Sequence, residues 1–178
     1  MNLYYDSEFT GLHQASTLIS IALIADDGRE FYAEFSDYNR EQCDEWIKQN
    51  VLNHTRWLQD PEAKTGSWNE EALTCSYGYS EQNRRALTHW LAHYDQIEIW
   101  ADCLAWDWVL FCQLFGGALN LPKQIHYMPM DLATLFRIKG LDPDTPREAF
   151  VALQAEQKHN SLWDAKVAKA CFEKLMND

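Results

Sequence analysis

The spacing of hydrophobic and polar positions changes several times along the chain, and each change predicts an element. Leu3, Tyr4 and Tyr5 open a strand that runs to about Glu8 and is closed by Gly11. Thr17 to Ala25 is an apolar, β-branched run that ends in Asp26-Asp27-Gly28, which predicts a second strand and a hairpin turn. Arg29 to Phe35 alternates and supplies the return strand, so the first three strands form an antiparallel meander. Asn39 or Ser36 caps a helix over roughly Arg40 to Leu52, with Cys43, Trp46, Ile47 and Val51 on one side. Asn53 to Tyr79 keeps no period and contains Pro61, Gly66 and Gly78. It reads as a long connecting segment with a short helix at Asn69 to Leu73, of a length that usually carries function or moves.

Regular patterning returns at Ser80, which caps a helix to about Tyr94 with Leu87, Trp90, Leu91 and Tyr94 inward. Gln96 to Ala101 is a strand, and a helix from about Leu104 to Phe115 stops at Gly116-Gly117. Ile125 to Met130 is the last strand, and helices over Leu132 to Lys139, Pro146 to Glu156 and Leu162 to Met176 complete the chain. This order predicts the α/β class: a mixed central five-stranded sheet, first strand central, flanked by helices. Neither a repeat nor a composition break divides the chain, so residues 1–178 are expected to form a single domain.

A hydrophobic content of 47% with 13% aromatic residues excludes a disordered chain. The formal charge of -12 argues against a polyanionic partner until its distribution is examined. Residues 1–122 hold 7 basic and 19 acidic side chains, whereas 123–178 hold 8 of each. The acidic surplus includes candidate cation ligands, so it does not exclude nucleic acid. The five cysteines are odd in number and form no C-x-x-C pair, which favours free thiols in a reducing compartment. With no signal peptide and no apolar run longer than Thr17 to Ala25, the expectation is a cytoplasmic protein with no membrane partner.

Asp6 and Glu8 lie two residues apart on the first strand and therefore share a face. Two adjacent buried carboxylates repel each other and call for a cation. Asp107 falls on the apolar stripe formed by Leu104, Trp108, Phe111, Leu114 and Phe115, so it too faces inward. Asp102, at the strand-to-helix junction, is explained by an N-cap role, which favours Asp107 as the functional residue. His159 and Asp164 flank the start of the last helix, which Asn160 or Ser161 caps. His89 and His93 have the spacing of a metal pair but no third ligand, and read as helix-surface residues.

Three ordered segments, Asp6-Ser-Glu8, Trp100 to Asp107 and His159-x4-Asp164, resemble the motifs of the DEDDh 3′–5′ exonucleases of the ribonuclease H-like fold. The finer pattern is similar to the small mycobacterial-type exoribonuclease branch. It lies in Leu18-Ile-Ser-Ile, Asp27-Gly-Arg-Glu-Phe-Tyr and Cys112-Gln-Leu-Phe-Gly116. The resemblance covers nearly the whole chain except 53–79. It departs at Cys103 and Trp106, where Asn and Phe are usual, and at Phe9, where many relatives have Thr.

The resemblance implies hydrolysis of terminal phosphodiester bonds from 3′ ends, releasing nucleoside 5′-monophosphates. It implies two Mg²⁺ or Mn²⁺ ions held by Asp6, Glu8, Asp107 and Asp164, with His159 as general base. Phe9, Thr10, Leu12 and Trp106 are then the candidates for holding the substrate. RNA with a free 3′ end is the expected partner. DNA is the alternative substrate, a catalytically idle nucleic-acid-binding module is the alternative from another class, and a homodimer is the assembly the superfamily suggests.

Overall fold

A computed structural model describes residues 1–153 and 158–177. The meander is present as β1 (Asn2–Phe9), β2 (Leu18–Ala25) and β3 (Glu30–Phe35), with Gly28 in the left-handed region at the turn. Every residue of β2 is buried, as the unbroken apolar run requires. After β3 come α1 (Glu45–Asn50), β4 (Gly66–Glu70), β5 (Leu73–Gly78) and α2 (Ser80–Leu91). Then come β6 (Glu98–Ala101), α3 (Ala105–Leu114), β7 (Met130–Asp131), α4 (Leu132–Ile138), α5 (Arg147–Phe150) and α6 (Ser161–Asn177).

The strands form one sheet in the order β4-β5-β3-β2-β1-β6-β7. β2 is antiparallel to β1 and β3, while β6 is parallel to β1 and β7 parallel to β6. The expected α/β, ribonuclease H-like architecture is therefore present, with β1 inside the sheet and helices on both faces. One face buries Leu3, Tyr5, Ile21 and Phe31 against α2 and α3. The other buries Tyr4, Ala22 and Tyr32 against Leu162 and Ala165 of α6.

Five local expectations are corrected. The sheet has seven strands instead of five, because the segment read as a loop with a helix at 69–73 contains the β4–β5 hairpin. Its turn has no Gly, Pro or Asn; Glu71 adopts φ +54° instead, so the usual hairpin signal is absent. The helix expected over 40–52 is broken into a 3-10 turn, Arg40–Gln42, and α1, because Asp44 accepts the Ile47 N–H and starts the helix afresh. α2 is capped from outside: Asp37 accepts the Ser80 N–H and hydroxyl at 3.0 Å, so Ser80 is not itself the cap. The strand expected over Ile125 to Met130 shrinks to a single Ile97–Ile125 bridge and β7, since the Met128 N–H bends back to the His126 ring. The helix expected over Pro146 to Glu156 is the short α5, ending at Phe150, and the part of that expectation at 154–156 lies outside the described residues.

Candidate active site

β1 carries the site because its two faces meet two different helices. Tyr4, Asp6 and Glu8 project toward α6, whereas Tyr5 and Ser7 project toward α3. Asp107, in the first turn of α3 and 8% exposed, reaches the strand from that second face. Ser7 donates both its backbone N–H and its hydroxyl to one Asp107 oxygen, at 3.0 and 2.6 Å. Beyond Glu8 the pairing slips by one residue, Glu8 opposing Ser20 but Phe9 opposing Leu18, a bulge that re-aims the strand end. Gly11, at φ +151°, then turns the chain where a Cβ would come within 3.0 Å of the His13 ring.

α6 brings the remaining groups. Asn160 caps it by accepting the Trp163 N–H at 3.2 Å and donates its own amide to the His54 carbonyl at 2.9 Å. Ser161, fully buried, pairs hydroxyl to hydroxyl with Ser20 at 2.9 Å and fastens the helix start to β2. Asp164 accepts the His159 backbone N–H at 2.9 Å. His159 itself adopts φ +65°, a left-handed conformation that a non-glycine residue holds only when its surroundings enforce it. Its ring meets the edge of Trp46 at 4.9 Å. Glu8, His159 and Asp164 each offer a ligand atom within 4.8 Å of the others.

The electrostatics of the cluster are those of crowded, desolvated acids. Burial pushes the Asp6 pKa well up, and Asp107, Asp164, Glu8 and Asp102 add to it by repulsion. Glu8 is raised by burial and then by Asp164 and Asp107. Asp164 is pushed up to about 7, chiefly by burial. For Asp107 burial prevails over the Ser7 hydrogen bonds and raises the carboxyl to about 6. The His159 pKa is lowered by burial and by Lys158 and His54. Among the described residues, none of the four acids forms an ion pair.

All five residues expected to do the chemistry are thus brought to the end of β1. The expected substrate residues divide. Phe9 and Leu12 line a cavity of about 460 Å³ that also reaches Glu8, Asp107, His159 and Asp164. Trp106 lies in a neighbouring groove with His13, Gln14 and Val109. The Thr10 side chain is buried; its hydroxyl donates to Gln42 at 2.6 Å and accepts the Thr17 N–H, so it braces the loop from beneath. Asp102 is not a cap. Both its oxygens accept the Arg147 guanidinium at 2.8 Å. His89 is exposed on α2 as expected, whereas His93 is exposed in the turn just beyond the end of that helix. Trp46 and Ile47, which complete the cavity wall, were indicated in the sequence only as one side of a helix.

This sheet order, with carboxylates from β1, α3 and α6 and a histidine gathered at one strand end, fits an exonuclease of the ribonuclease H-like fold, the class to which the family match assigns the chain. Residues 1–176 match the 3′-5′ exoribonuclease Rv2179c-like domain, and the chain belongs to that family. It is 31% identical over 168 residues to the 3′-5′ exoribonuclease Rv2179c of Mycobacterium tuberculosis, and equally to 3′-5′ exoribonuclease MT2234.1 from another strain. Each alignment covers 93% of this chain and 88% of the relative. No helix among the described residues is long and apolar enough to cross a membrane.

Proposed function

We propose that the chain is a metal-dependent 3′–5′ exoribonuclease that removes nucleoside 5′-monophosphates one at a time from RNA with a free 3′ end. The observation that carries this reading is the convergence of Asp6, Glu8, Asp107, Asp164 and His159 on one cavity, with no ion pair to balance the acids among the described residues. RNA is favoured by membership of an exoribonuclease family.

The donor set fits hard divalent cations, being rich in carboxylate oxygens and free of thiolate. Asp6 would face two Mg²⁺ or Mn²⁺ ions, with Glu8 and Asp164 completing one site and Asp107 supporting the other. When bound, the ions stabilise the charge that develops on the scissile phosphate and on the departing 3′ oxygen.

The chain's own residues account for the remaining steps. The lowered pKa of His159 leaves its imidazole neutral near pH 7, ready to accept the proton of an attacking water as general base. Asp164, by holding the His159 N–H, keeps the strained turn that presents the ring. Ser7 fixes one oxygen of Asp107 and leaves the other for the site. Phe9, Leu12 and Trp46 offer apolar walls for the terminal nucleotide, where base stacking contributes roughly 1–3 kcal/mol. Trp106 and His13 offer a platform for the next nucleotide in the groove that begins beyond Leu12.

The test uses 5′-labelled single-stranded RNA, single-stranded DNA and a duplex with a 3′ overhang, each with Mn²⁺ or with EDTA. The expected result is RNA shortened from its 3′ end with 5′-monophosphate as product, and no product in EDTA. Faster loss of DNA than of RNA would make the enzyme an exodeoxyribonuclease. Binding without shortening of any substrate would leave an idle binding module and overturn the proposal.

A further inference from the structure

A second cavity, of about 340 Å³, shares Asp6 and Asp164 with the first and runs from them to Asp102, Asp144, Arg147, Glu148 and Lys158. Arg147 is fully engaged there. Its guanidinium donates to both Asp102 oxygens and to the Pro143 and Thr145 carbonyls, and lies 4.1 Å from the centre of the Phe136 ring. Glu148, the next residue, is in the opposite condition. It is 8% exposed, it lines the cavity, and among the described residues its carboxylate has neither a hydrogen bond nor an ion pair. Its charge is felt at the cluster, raising Asp164 and opposing the fall of His159.

A carboxylate on the wall of a narrow cavity, without donors among the described residues and beside other carboxylates, is unfavourable, and a cation at the wall they share relieves it. The geometry points to one role. We propose, resting on the reading of this site as a divalent-cation centre, that Glu148 is a further carboxylate of that centre. It acts from the second cavity alongside Asp6 and Asp164, and the Asp102–Arg147 pair is the device that positions it. α5 is too short to hold itself in place, and the bidentate pair fixes it against the end of β6.

The experiment is calorimetric titration of the full chain with MnCl₂, without nucleic acid, for wild type, Glu148→Gln, Glu148→Asp, Asp144→Asn and Asp6→Asn. Melting of each metal-free protein reports folding. Glu148→Gln is expected to weaken Mn²⁺ binding about tenfold, the size of effect seen when groups supporting a metal site are removed. Glu148→Asp is expected to fall between it and wild type. Asp144, exposed on the rim of the same cavity, controls for charge alone, and its variant is expected to bind as wild type does. Wild-type affinity in a folded Glu148→Gln protein, or an equal loss in Asp144→Asn, overturns the proposal. If Asp6→Asn also binds Mn²⁺ like wild type, the cation-centre reading itself fails, which is a separate outcome.

Discussion

Glu34 and Asp6 are both carboxylates set into the sheet, and their surroundings are opposite. Glu34, on β3 and 0% exposed, accepts the backbone N–H groups of Arg56, Trp57 and Leu58 and the hydroxyl of Tyr32. Those bonds fasten the segment before β4 onto the sheet, where Trp57 packs against Tyr32 and Trp68. Asp6, two strands away, has no hydrogen-bond donor among the described residues and is surrounded by Asp107, Asp164, Glu8 and Asp102. One environment satisfies a charge; the other concentrates charge, which a bound proton or a cation would relieve. Burial of an acid therefore has two outcomes in this protein: Glu34 is met by donors, and Asp6 by other acids.

The contrast can be broken by substitution at either end. Asp6→Asn should lower kcat on the order of 10³-fold, because several kcal/mol of transition-state stabilisation depend on that carboxylate. It should leave the metal-free fold at least as stable as wild type. Glu34→Ala should do the reverse. Loss of charge-assisted bonds to three N–H groups should cost about 3 kcal/mol in denaturant unfolding, with near-normal turnover per folded molecule. If Asp6→Asn unfolds the protein and Glu34→Ala does not, the assignment of roles is inverted.

His159→Asn should cost about 10²-fold in kcat with little change in unfolding. In the wild type, kcat should rise with pH through the lowered pKa of His159 and then level, a rise the variant should lack. Ser7→Ala should cost about tenfold in kcat or Mn²⁺ affinity by releasing Asp107, and Ser7→Thr should restore most of it. The smallest effect concerns stability without metal. Asp164 and Asp107 titrate near 7 and 6 in the fold but near 4 when unfolded. The folded state therefore binds more protons between those values, and its stability falls as pH rises through them. EDTA-treated protein should melt higher at pH 5 than at pH 7.5, by roughly 3–5 °C for an effect on the order of 1–2 kcal/mol.

Much of the site was legible because its logic is local. The two-residue spacing of Asp6 and Glu8, and the place of Asp107 on an apolar stripe, follow from the periods of a strand and a helix. Asp107 meets β1 through Ser7 as its place on the stripe requires, whereas the cap expected of Asp102 is replaced by its pairing with Arg147. What stayed hidden was carried by contacts between distant segments. Glu34 looked like any polar position of an alternating strand, because its donors come from residues 56–58. Glu148 fell inside an expected helix with nothing in its spacing to single it out, and its place on the cavity wall depends on a contact between distant segments, Arg147 with Asp102. The β4–β5 hairpin escaped because Glu71 takes a turn conformation usually left to Asn or Gly.

Whether the acids around Asp6 form a cation site is read from the melting temperature at pH 7.5 with and without MnCl₂. At a hundredfold excess over Kd, Mn²⁺ should stabilise the wild type by about 2.7 kcal/mol, raising its melting temperature by roughly 5–10 °C. Asp6→Asn should start from an equal or higher melting temperature in EDTA and gain almost nothing from the ion. An equal gain in both proteins would contradict the account.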